Sequence, residues 1–398
     1  MNITIHNAKL HGKVAAIPSK SQAHRLLICA AFSDIPTQLD CPETNQDIEA
    51  TANCLRALGS DITRNDSGYY VRPSVSIPTH ARLNCYESGS TLRFMLPIVG
   101  ALGVDAVFFM EGRLPQRPLS PLWEEMERMG CCLTRPTNNT IACSGKLKTG
   151  VYHIAGNVSS QFISGLLFAL SLLSGESQLE ISNPVESLPY IKMTTKALTA
   201  FGVDVHDYHV SGKQPFTSPG HVLVEGDWSN AAFFLAANAL GGDIQVDGLQ
   251  DYSPQGDRAV QMLLPRLNEY CEISATDIPD LVPILAVVAG ANRGATFTGV
   301  RRLRLKESDR VETVAAMLRN LGCKVHIDED ALTVMPAKFR GCTIDSANDH
   351  RIAMSAAIAA TVANGPVTIR NAQCVSKSYP AFWNVFRQLG GNYEQHIR

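Results

Sequence analysis

Serine and lysine side chains stand together at one predicted helix start near the N-terminus. Ser19, Lys20 and Ser21, with Arg25 one helical turn further on, lead directly into the apolar stretch 26–32. Either serine can cap this helix, and the N–H groups of its first turn have no intrahelical partner. N–H groups beside two cations predict a binding site for phosphate or carboxylate groups.

Five other apolar stretches begin with polar or charged residues, which are Glu87, Ser88, Gly89, Ser90 and Thr91 with Arg93; Ser159, Ser160 and Gln161; Ser229 and Asn230; Pro279 and Asp280; and Asp349, His350 and Arg351. Helix capping accounts for the Ser, Thr and Asp residues. It does not account for Lys20 and Arg351, because a cation at a helix N-terminus opposes the helix dipole. These cations favour ligand binding over a purely structural role.

A second polar set precedes the predicted amphipathic helices and consists of Asp47, Arg113, Arg117, Ser187, Tyr190, Asp257, Lys306, Glu307, Asp309, Arg310 and Lys377. If the repeated units of the chain are alike, both sets lie at one edge of each domain, and two such edges facing each other form a cleft. The cations expected there are Lys20, Arg25, Arg93, Arg113, Arg310, Arg351 and Lys377. They favour a small ligand that carries phosphate and carboxylate groups. Neither half of the chain holds all of these cations, so we expect two domains to close over the ligand.

Two carboxylates in this basic setting could transfer protons. Glu307 is flanked by Lys306 and Arg310, and Asp280 stands at a predicted helix start. The alternative is that each carboxylate only balances the charge of a neighbouring cation. The residues by themselves leave both interpretations open.

The sequence predicts neither a metal site nor one of the common nucleotide-binding or acyl-enzyme sites. Histidines, cysteines and carboxylates do not cluster at ligand spacing, and the one candidate ligand, His350, has Arg351 beside it. The chain contains no G-x-G-x-x-G, G-x-x-x-x-G-K-[ST] or G-x-S-x-G motif. We therefore expect neither a metal nor a cofactor.

Composition and charge are those of a soluble globular protein. The 398-residue chain is 45% hydrophobic and 18% charged, and its formal net charge of −2 at pH 7 attracts neither nucleic acid nor an anionic membrane. None of the 11 cysteines forms a C-x-x-C pair, which is typical of reduced thiols. The N-terminus lacks the apolar core of a signal peptide, and the longest uncharged apolar stretch, 162–175, is too short to span a bilayer. We expect a cytoplasmic protein.

A repeated helix ending organises the whole chain. The pattern apolar-x-x-apolar-Gly closes predicted helices at Gly59, Gly130, Gly202, Gly322 and Gly390, with Asn268 in a further, degenerate copy. Gly and Asn both tolerate the left-handed conformation of a helix C-cap. These helices carry one apolar stripe, as at Val311, Val314 and Leu318, and each unit adds strands and an almost wholly apolar helix. The sequence predicts an α/β fold of six βαβαββ units.

The expected domain boundaries follow from this repeat. Gly, Pro and Ser are dense at 211–220, a predicted hinge that leaves three units on each side. The predicted strand at Met1–His6 precedes the first full unit, so we expect it to join the second half. The expected domains are residues 13–219, inserted into a discontinuous domain of residues 1–12 plus 220–398, with crossovers near 12–19 and 211–220.

The motifs, taken in order, resemble those of the 5-enolpyruvylshikimate-3-phosphate synthases (3-phosphoshikimate 1-carboxyvinyltransferases), a family of enolpyruvyl transferases. The resemblance covers essentially the whole chain and rests on Ser19–Ser21 with Arg25, Ser88–Thr91 with Arg93, Arg113, Arg117–Pro118, Ser159–Gln161, Ile278–Asp280, Lys306–Arg310, Asp349–Arg351 and Lys377. It implies a two-domain inside-out α/β barrel with three βαβαββ units per domain. It also implies the reaction, a step of aromatic amino acid biosynthesis in the shikimate pathway. The enolpyruvyl group of phosphoenolpyruvate passes to the 5-hydroxyl of shikimate 3-phosphate, and phosphate is released without a cofactor.

The resemblance implies site residues by position. Contacts to shikimate 3-phosphate are implied for Lys20, Ser21, Arg25, Ser159, Ser160, Gln161, Ser187, Asp280 and Lys306. Contacts to phosphoenolpyruvate are implied for Lys20, Gly89, Arg113, Gln161, Arg310, Arg351 and Lys377. Asp280 and Glu307 resemble the proton-transfer pair, and Lys20 resembles a further catalytic residue. Glu87 and Arg302 depart from the pattern, since many relatives carry Asn at the first position and some carry Asn at the second, so the resemblance implies no contact for either residue.

A pair of carboxyl groups suits this reaction. Protonating the enol carbon builds cationic character at its neighbour while the 5-hydroxyl attacks and loses a proton, so one acid and one base are needed. We assign Asp280 as the base towards the hydroxyl and Glu307 as the acid.

Other functions remain as alternatives. The related enolpyruvyl transferase of UDP-N-acetylglucosamine shares the fold but typically carries a Cys in the loop that corresponds to residues 112–118, which has none here. An RNA-end-processing enzyme with similar repeats should be more basic. A non-catalytic binder of phosphorylated metabolites would be free to lose Glu307 or Asp280. We expect a monomer that acts on two small molecules, without nucleic acid or membrane.

Overall fold

The computed structural model describes residues 1–212 and 214–396. The chain forms two compact domains: an inserted domain, Pro18–Val224, and a discontinuous domain of Met1–Ile17 together with the chain from Glu225 onward. Sequence patterns predict these boundaries after residues 12 and 219. In the structure residues 11–15 form a strand of the discontinuous domain, paired with residues 243–247, so the first crossover follows that strand.

The strands of the described chain are short, and most pair within one repeated unit. They are β1 (Asn2–His6), β2 (His11–Ala15), β3 (Thr37–Asp40), β4 (Asp61–Asn65), β5 (Gly68–Arg72), β6 (His80–Tyr86), β7 (Asp105–Met110), β8 (Cys131–Thr137), β9 (Thr140–Gly145), β10 (Val151–Ala155), β11 (Ser177–Ser182), β12 (Val205–His206), β13 (His209–Val210), β14 (His221–Leu223), β15 (Asp243–Asp247), β16 (Cys271–Ser274), β17 (Ala295–Thr298), β18 (Val325–Ile327), β19 (Ala331–Val334), β20 (Arg340–Asp345), β21 (Asn364–Arg370) and β22 (Asn392–His396).

The α-helices alternate along the chain between a buried and an amphipathic type. They are α1 (Lys20–Ala31), α2 (Gln46–Ala57), α3 (Gly89–Leu102), α4 (Leu122–Arg128), α5 (Ser160–Ser171), α6 (Leu188–Ala200), α7 (Trp228–Ala239), α8 (Val260–Arg266), α9 (Val282–Ala291), α10 (Arg310–Leu321), α11 (His350–Ala360) and α12 (Phe382–Gln388). Short 3-10 helices span Leu114–Gln116, Gly256–Ala259, Arg301–Leu305 and Ala372–Lys377.

The described strands form six sheets, which confirms the predicted α/β class and the six repeated units. The inserted domain holds β14-β3-β5-β4, β6-β7-β9-β8 and β10-β11-β13-β12. The discontinuous domain holds β15-β2, β16-β17-β19-β18 and β20-β21-β1-β22. In each four-stranded sheet the first two strands, in the order given, run parallel to each other. Every later strand is antiparallel to the strand before it, as β9 is to β7. The N-terminal strand β1 lies between β21 and β22, so it completes the sixth sheet.

The fourth unit departs from the predicted βαβαββ order. Its sheet has two described strands, β2 and β15, where every other sheet has four. Only residues 267–270 separate α8 from β16, which already begins the fifth unit. That length cannot hold two strands and a turn, so the fourth unit ends after its second helix.

Each domain buries three helices at its centre and packs sheets around them. In the discontinuous domain α7, α9 and α11 contact one another, and α9 is buried from Val282 to Gly290. The amphipathic helices cover them with one face only: α10 buries Val311, Val314 and Leu318, while Glu312 is exposed. Apolar helices inside and sheets outside are the arrangement that the resemblance implies.

The repeated glycines end the amphipathic helices as predicted. Gly322 closes α10 with φ 112°, in the left-handed region that a side chain rarely adopts. Gly59, Gly130, Gly202 and Gly390 also have positive φ. The prediction for Asn268 is wrong: α8 ends at Arg266, its C-cap residue Leu267 has φ −75°, and Asn268 is not among the described residues with positive φ. The chain there turns directly into the next strand, so a left-handed cap is not needed.

Candidate functional site

In the inserted domain, the start of α1 brings a lysine and a carboxylate together. Ser19 is the N-cap residue of α1, and its buried Oγ makes no hydrogen bond to another described residue. The next residue, Lys20, donates from Nζ to Asp47 Oδ2 at 2.8 Å, and about one sixth of each side chain is exposed (16% and 18%). This helix start therefore carries a cation and a buried hydroxyl, both suited to an anionic ligand.

Arg25 is a buried guanidinium that ties α1 to α6. It is 2% exposed and donates from Nε to Thr194 Oγ1 at 2.8 Å and from Nη2 to the Tyr190 carbonyl at 3.0 Å. Phe94 packs against it, with the ring centroid 5.1 Å from Cζ. Burial lowers the pKa of Arg25 to about 10, so it stays positively charged at neutral pH.

Arg93 and Gln161 link the starts of α3 and α5. Arg93 donates from Nη1 to Gln161 Oε1 at 3.1 Å, and Gln161 donates from Nε2 to Ser90 Oγ at 2.9 Å. A Cβ atom at Gly89 would lie 2.6 Å from the Nη1 atoms of both Arg93 and Arg117. Gly89 therefore lets two guanidinium groups approach the N-terminus of α3.

The other predicted residues of this domain lie on the same helix starts or the adjoining loops. Ser159 is the N-cap residue of α5, where its Oγ accepts from Gln161 N at 3.3 Å, and Ser160 is buried in the first turn. Ser187 is buried at the N-cap of α6 in a left-handed conformation, φ 56°. Ser21 lies half-buried in α1, and Arg113 is exposed just before the 3-10 helix Leu114–Gln116.

In the discontinuous domain, one buried guanidinium holds three carboxylates. Arg310 is 1% exposed and begins α10. It donates to Glu307 Oε2 at 2.6 Å, to Asp280 Oδ1 at 2.7 Å and from Nε to Asp349 Oδ2 at 2.9 Å. Asp349 is completely buried, caps α11 and also accepts from Ser308 Oγ at 2.9 Å. Arg310 is thus the centre of this half of the candidate site.

Asp280 lies between the cations of three elements. Besides Arg310, it accepts from Arg351 Nη2 on Oδ2 at 3.0 Å, and Lys306 Nζ lies 3.6 Å from Oδ1. Burial by itself would raise its pKa, but Arg351, Lys306 and Arg310 together hold the pKa of Asp280 well below its usual range. Asp280 is therefore an ionised carboxylate at neutral pH.

Two lysines complete the basic side of this cluster. Burial lowers the pKa of Lys306 to about 8, although Asp280 opposes that shift. Lys377 is 8% exposed at the end of the 3-10 helix Ala372–Lys377 and donates to the Asn348 carbonyl at 3.0 Å. The loop before α11 thus holds Lys377 close to the start of that helix.

A fourth carboxylate, Asp257, lies behind the cluster. It is 1% exposed, follows the loop after β15 and accepts a hydrogen bond from Ser229 Oγ. Burial and the negative charge of Asp280 raise its pKa to about 7. The sequence places Asp257 in the second polar set but gives it no role of its own.

Ion pairs in the discontinuous domain join Asp280, Lys306, Glu307, Arg310 and Arg351, whereas the predicted residues of the inserted domain lie at helix starts and in the adjoining loops. Lys20, Ser21, Arg25, Gly89, Arg113, Ser159, Ser160, Gln161 and Ser187 lie in the inserted domain, and Asp280, Lys306, Glu307, Arg310, Arg351 and Lys377 lie in the discontinuous one. Asp280 and Glu307 do balance neighbouring cations, which is one of the two interpretations that the sequence leaves open. The sequence does not single out Thr194 and Ser164, which accept hydrogen bonds from Arg25, because neutral residues inside a helix carry no sequence signal.

Residues 1–212 and 214–396 contain neither a candidate metal site nor a membrane-spanning helix. In these ranges no group of three or more His, Cys, Asp or Glu side chains is arranged to hold a metal ion. Nor does any helix there have the length and apolar character needed to cross a membrane.

Known proteins resemble this chain over nearly its whole length. The family model described as EPSP synthase (3-phosphoshikimate 1-carboxyvinyltransferase) matches residues 5–277 and 265–386. The protein of that name from Clostridium kluyveri is 36% identical over 419 residues, which cover 99% of this chain and 98% of that protein. The Clostridium botulinum protein is 36% identical over 424 residues, 98% of each chain.

Solved structures share the fold. The EPSP synthase of Acinetobacter baumannii superposes with a TM-score of 0.79 at 24% identity, over 99% of this chain and 100% of that chain. The enolpyruvyl transferase NikO of Streptomyces tendae superposes with a TM-score of 0.76 at 17% identity, over 100% and 99% of the two chains. The family model and the full-length relatives carry the assignment: the chain belongs to the EPSP synthase (3-phosphoshikimate 1-carboxyvinyltransferase) family.

Proposed function

We propose that this chain transfers the enolpyruvyl group of phosphoenolpyruvate to the 5-hydroxyl of shikimate 3-phosphate and releases phosphate. The observation that carries the proposal is membership of this family over nearly the whole chain. The cluster around Arg310 supports it, because two carboxylates that could transfer protons, Asp280 and Glu307, share one buried guanidinium.

The proposed chemistry has two steps. In the addition step, the 5-hydroxyl oxygen bonds to C2 of phosphoenolpyruvate, its proton passes to Asp280, and C3 takes a proton from Glu307. In the elimination step, the bond from C2 to the phosphate oxygen breaks, phosphate leaves with the proton held by Asp280, and the C3 methyl group returns a proton to Glu307. Both carboxyl groups end in their starting states, so the cycle needs no cofactor.

The electrostatics of the cluster support this division of roles. Asp280 is held ionised by three cations, as a base towards the hydroxyl must be. Phosphoenolpyruvate bound at Arg310 would bring negative charge next to Glu307, which favours the protonated carboxyl group that an acid requires. Lys20 is the third proposed catalytic residue, because its cation can offset charge that develops on the phosphate.

The proposed substrate contacts are those that the family resemblance implies. Shikimate 3-phosphate is assigned to Lys20, Ser21, Arg25, Ser159, Ser160, Gln161, Ser187, Asp280 and Lys306. Phosphoenolpyruvate is assigned to Lys20, Gly89, Arg113, Gln161, Arg310, Arg351 and Lys377. Serine hydroxyls and the N–H groups of helix starts suit phosphate oxygens, while Arg310 and Arg351 can hold a carboxylate through paired N–H donors.

The acceptor assay tests the proposed reaction. Phosphate release from phosphoenolpyruvate should require shikimate 3-phosphate and should stay at background with UDP-N-acetylglucosamine. The product should show a vinyl ether at the 5-position by NMR. Turnover with the UDP-sugar but not with shikimate 3-phosphate would overturn the assignment in favour of the other enolpyruvyl transferase, and turnover with neither would favour a non-catalytic binder.

The lowered pKa of Lys306 predicts that the reaction depends on pH. With its pKa near 8, Lys306 is charged below that pH and neutral above it. If its charge binds the substrate, kcat/KM for shikimate 3-phosphate should fall as the pH rises above about 8, approaching tenfold per unit. A pH profile of kcat/KM from 6.5 to 9.5 measures this, because kcat/KM reports the ionisation of the free enzyme.

Lys306→Arg is the matched variant for that profile. Arginine keeps its charge through this pH range, so the fall above pH 8 should disappear even if the overall rate is lower. An unchanged fall in Lys306→Arg would assign the ionisation to another group.

The remaining properties are proposals of the same kind. We infer that the enzyme acts in the cytoplasm as a monomer, without a metal, cofactor or nucleic acid. The scattered reduced cysteines and the slightly negative net charge support this. Light scattering coupled to gel filtration would detect a dimer, and turnover should persist in the presence of a chelator.

A further inference from the structure

His24 lies at the end of a buried chain of hydroxyl groups in the inserted domain. Its Nδ1 is 2.7 Å from Thr51 Oγ1 on α2, and Thr51 Oγ1 is 2.7 Å from Thr91 Oγ1 on α3. Thr91 Oγ1 is in turn 2.7 Å from Ser88 Oγ, the N-cap residue of α3. His24, Thr51 and Thr91 are 0% exposed, so this chain is fully shielded from solvent.

The chain joins helix starts that carry the proposed substrate contacts. His24 lies one turn after Lys20 on α1, and Thr51 lies one turn after Asp47 on α2, so the pair His24–Thr51 runs alongside the pair Lys20–Asp47. Thr91 Oγ1 also donates to the Asp47 carbonyl at 3.4 Å. Ser88, at the far end of the hydroxyl chain, immediately precedes Gly89. The chain of hydroxyl groups is therefore an internal brace that joins the second turns of α1 and α2 to the first turn of α3.

The surroundings of His24 keep it neutral and choose its tautomer. Burial, with the charges of Lys20 and Arg25, holds the pKa of His24 well below its usual range. Its Nε2 is buried and has no hydrogen-bond partner among the described residues. A buried N–H without an acceptor costs more than an unused lone pair, so the proton belongs on Nδ1. His24 then donates to Thr51, and Thr51 donates to Thr91.

We propose that His24 is a positioning residue for phosphoenolpyruvate binding, which through Thr51 and Thr91 holds the N-terminal ends of α1, α2 and α3 in register. The inference rests on the proposed function, in which Lys20 and Gly89 bind that substrate. His24 does not reach the substrate itself, since its ring is enclosed by α2, α3 and the Phe94 side chain, whose centroid is 6.3 Å away. Its effect passes through the hydroxyl chain.

Steady-state kinetics of three variants test the proposal. His24→Leu removes the donor, and Thr51→Val removes the first hydroxyl while keeping its shape. His24→Asn retains an N–H group near the position of Nδ1. We expect the first two to raise KM for phosphoenolpyruvate about tenfold, because misplaced binding groups lose affinity while the proton-transfer pair stays in place. KM for shikimate 3-phosphate should also rise, because Lys20 and Ser21 are assigned to that substrate as well. His24→Asn should restore most of the affinity.

A control separates positioning from stability. Ser171→Ala removes another buried hydroxyl of the same domain, whose Oγ donates to the Leu167 carbonyl at 2.8 Å. It should lower the urea midpoint without changing either KM. The proposal is overturned if His24→Leu and Thr51→Val lose stability but keep the original KM for phosphoenolpyruvate. It is also overturned if His24→Asn is as impaired as His24→Leu.

Failure of this inference differs from failure of the proposed function. If the unmodified protein does not turn over shikimate 3-phosphate, the function itself is wrong. If it does, the KM values of the variants decide the role of His24 alone. Should His24→Leu not fold, Thr51→Val and His24→Asn still give opposite expected outcomes for the same KM.

Discussion

Replacing Glu307 with glutamine is expected to lower kcat by about 10²–10⁴-fold while substrate affinity changes little. Glutamine has the size of glutamate and can still accept from Arg310 Nη2, which lies 2.6 Å from Glu307 Oε2. It cannot deliver a proton to C3 of phosphoenolpyruvate. Single-turnover kinetics would measure the chemical step, and calorimetric titration with shikimate 3-phosphate would measure the affinity.

Glu312→Gln is the matched control for that variant. Glu312 lies on the exposed face of the adjacent helix α10, and 55% of its side chain is exposed. The same chemical change there should leave kcat within about twofold of the unmodified protein. If Glu307→Gln retains most of its turnover, Glu307 is not the acid and only balances the charge of Arg310.

Replacing Arg310 with methionine is expected to destabilise the protein by about 3–5 kcal/mol. Asp349 is 0% exposed and loses the Nε donor at 2.9 Å, so a buried carboxylate is left without its cation. Methionine fills much of the space but cannot replace the three ion pairs to Asp280, Glu307 and Asp349. Urea unfolding at pH 7, followed by circular dichroism, measures the free energy of unfolding.

Two further variants test whether the lower free energy of unfolding of Arg310→Met comes from the buried, unpaired carboxylate. Arg304→Met breaks partly exposed pairs with Asp309 and Glu312 and should cost less than about 1 kcal/mol. The double variant Arg310→Met with Asp349→Asn removes the buried charge as well and should be more stable than Arg310→Met alone. Equal losses in Arg310→Met and Arg304→Met would mean that burial of the cluster contributes little.

The stability of the Arg310 cluster and its function are linked. The resemblance assigns Arg310 to phosphoenolpyruvate, yet in the structure its guanidinium already serves three carboxylates. A substrate anion at Arg310 would therefore compete with them, most directly with Glu307, which is 23% exposed where Asp349 is 0% exposed. The residue proposed to move a proton therefore makes the more exposed of these two ion pairs with Arg310.

Local sequence patterns were sufficient to predict the six units and where the candidate residues lie. Helix periodicity identified the buried face of α10, and glycine placed its end at Gly322, because both depend only on neighbouring residues. The same local reasoning put Lys20 and Arg351 at helix starts. These local patterns did not predict that the fourth unit lacks two strands, because the chain there is shorter than the repeat. They also wrongly predicted a left-handed cap at Asn268.

Which residues meet was decided only by the tertiary structure. Arg25 and Thr194 are 169 residues apart in the chain, and Arg351 and Asp280 are 71 apart, so no local pattern connects them. Burial decided the state of the ionisable groups: Lys306, Asp257 and His24 look ordinary in sequence, and their pKa values shift because packing removes water from around them. The amino-acid sequence by itself determined the elements and the charges at their ends, since those follow from short-range periodicity and capping; the pairing of those charges and the brace behind them exist only once the helices pack.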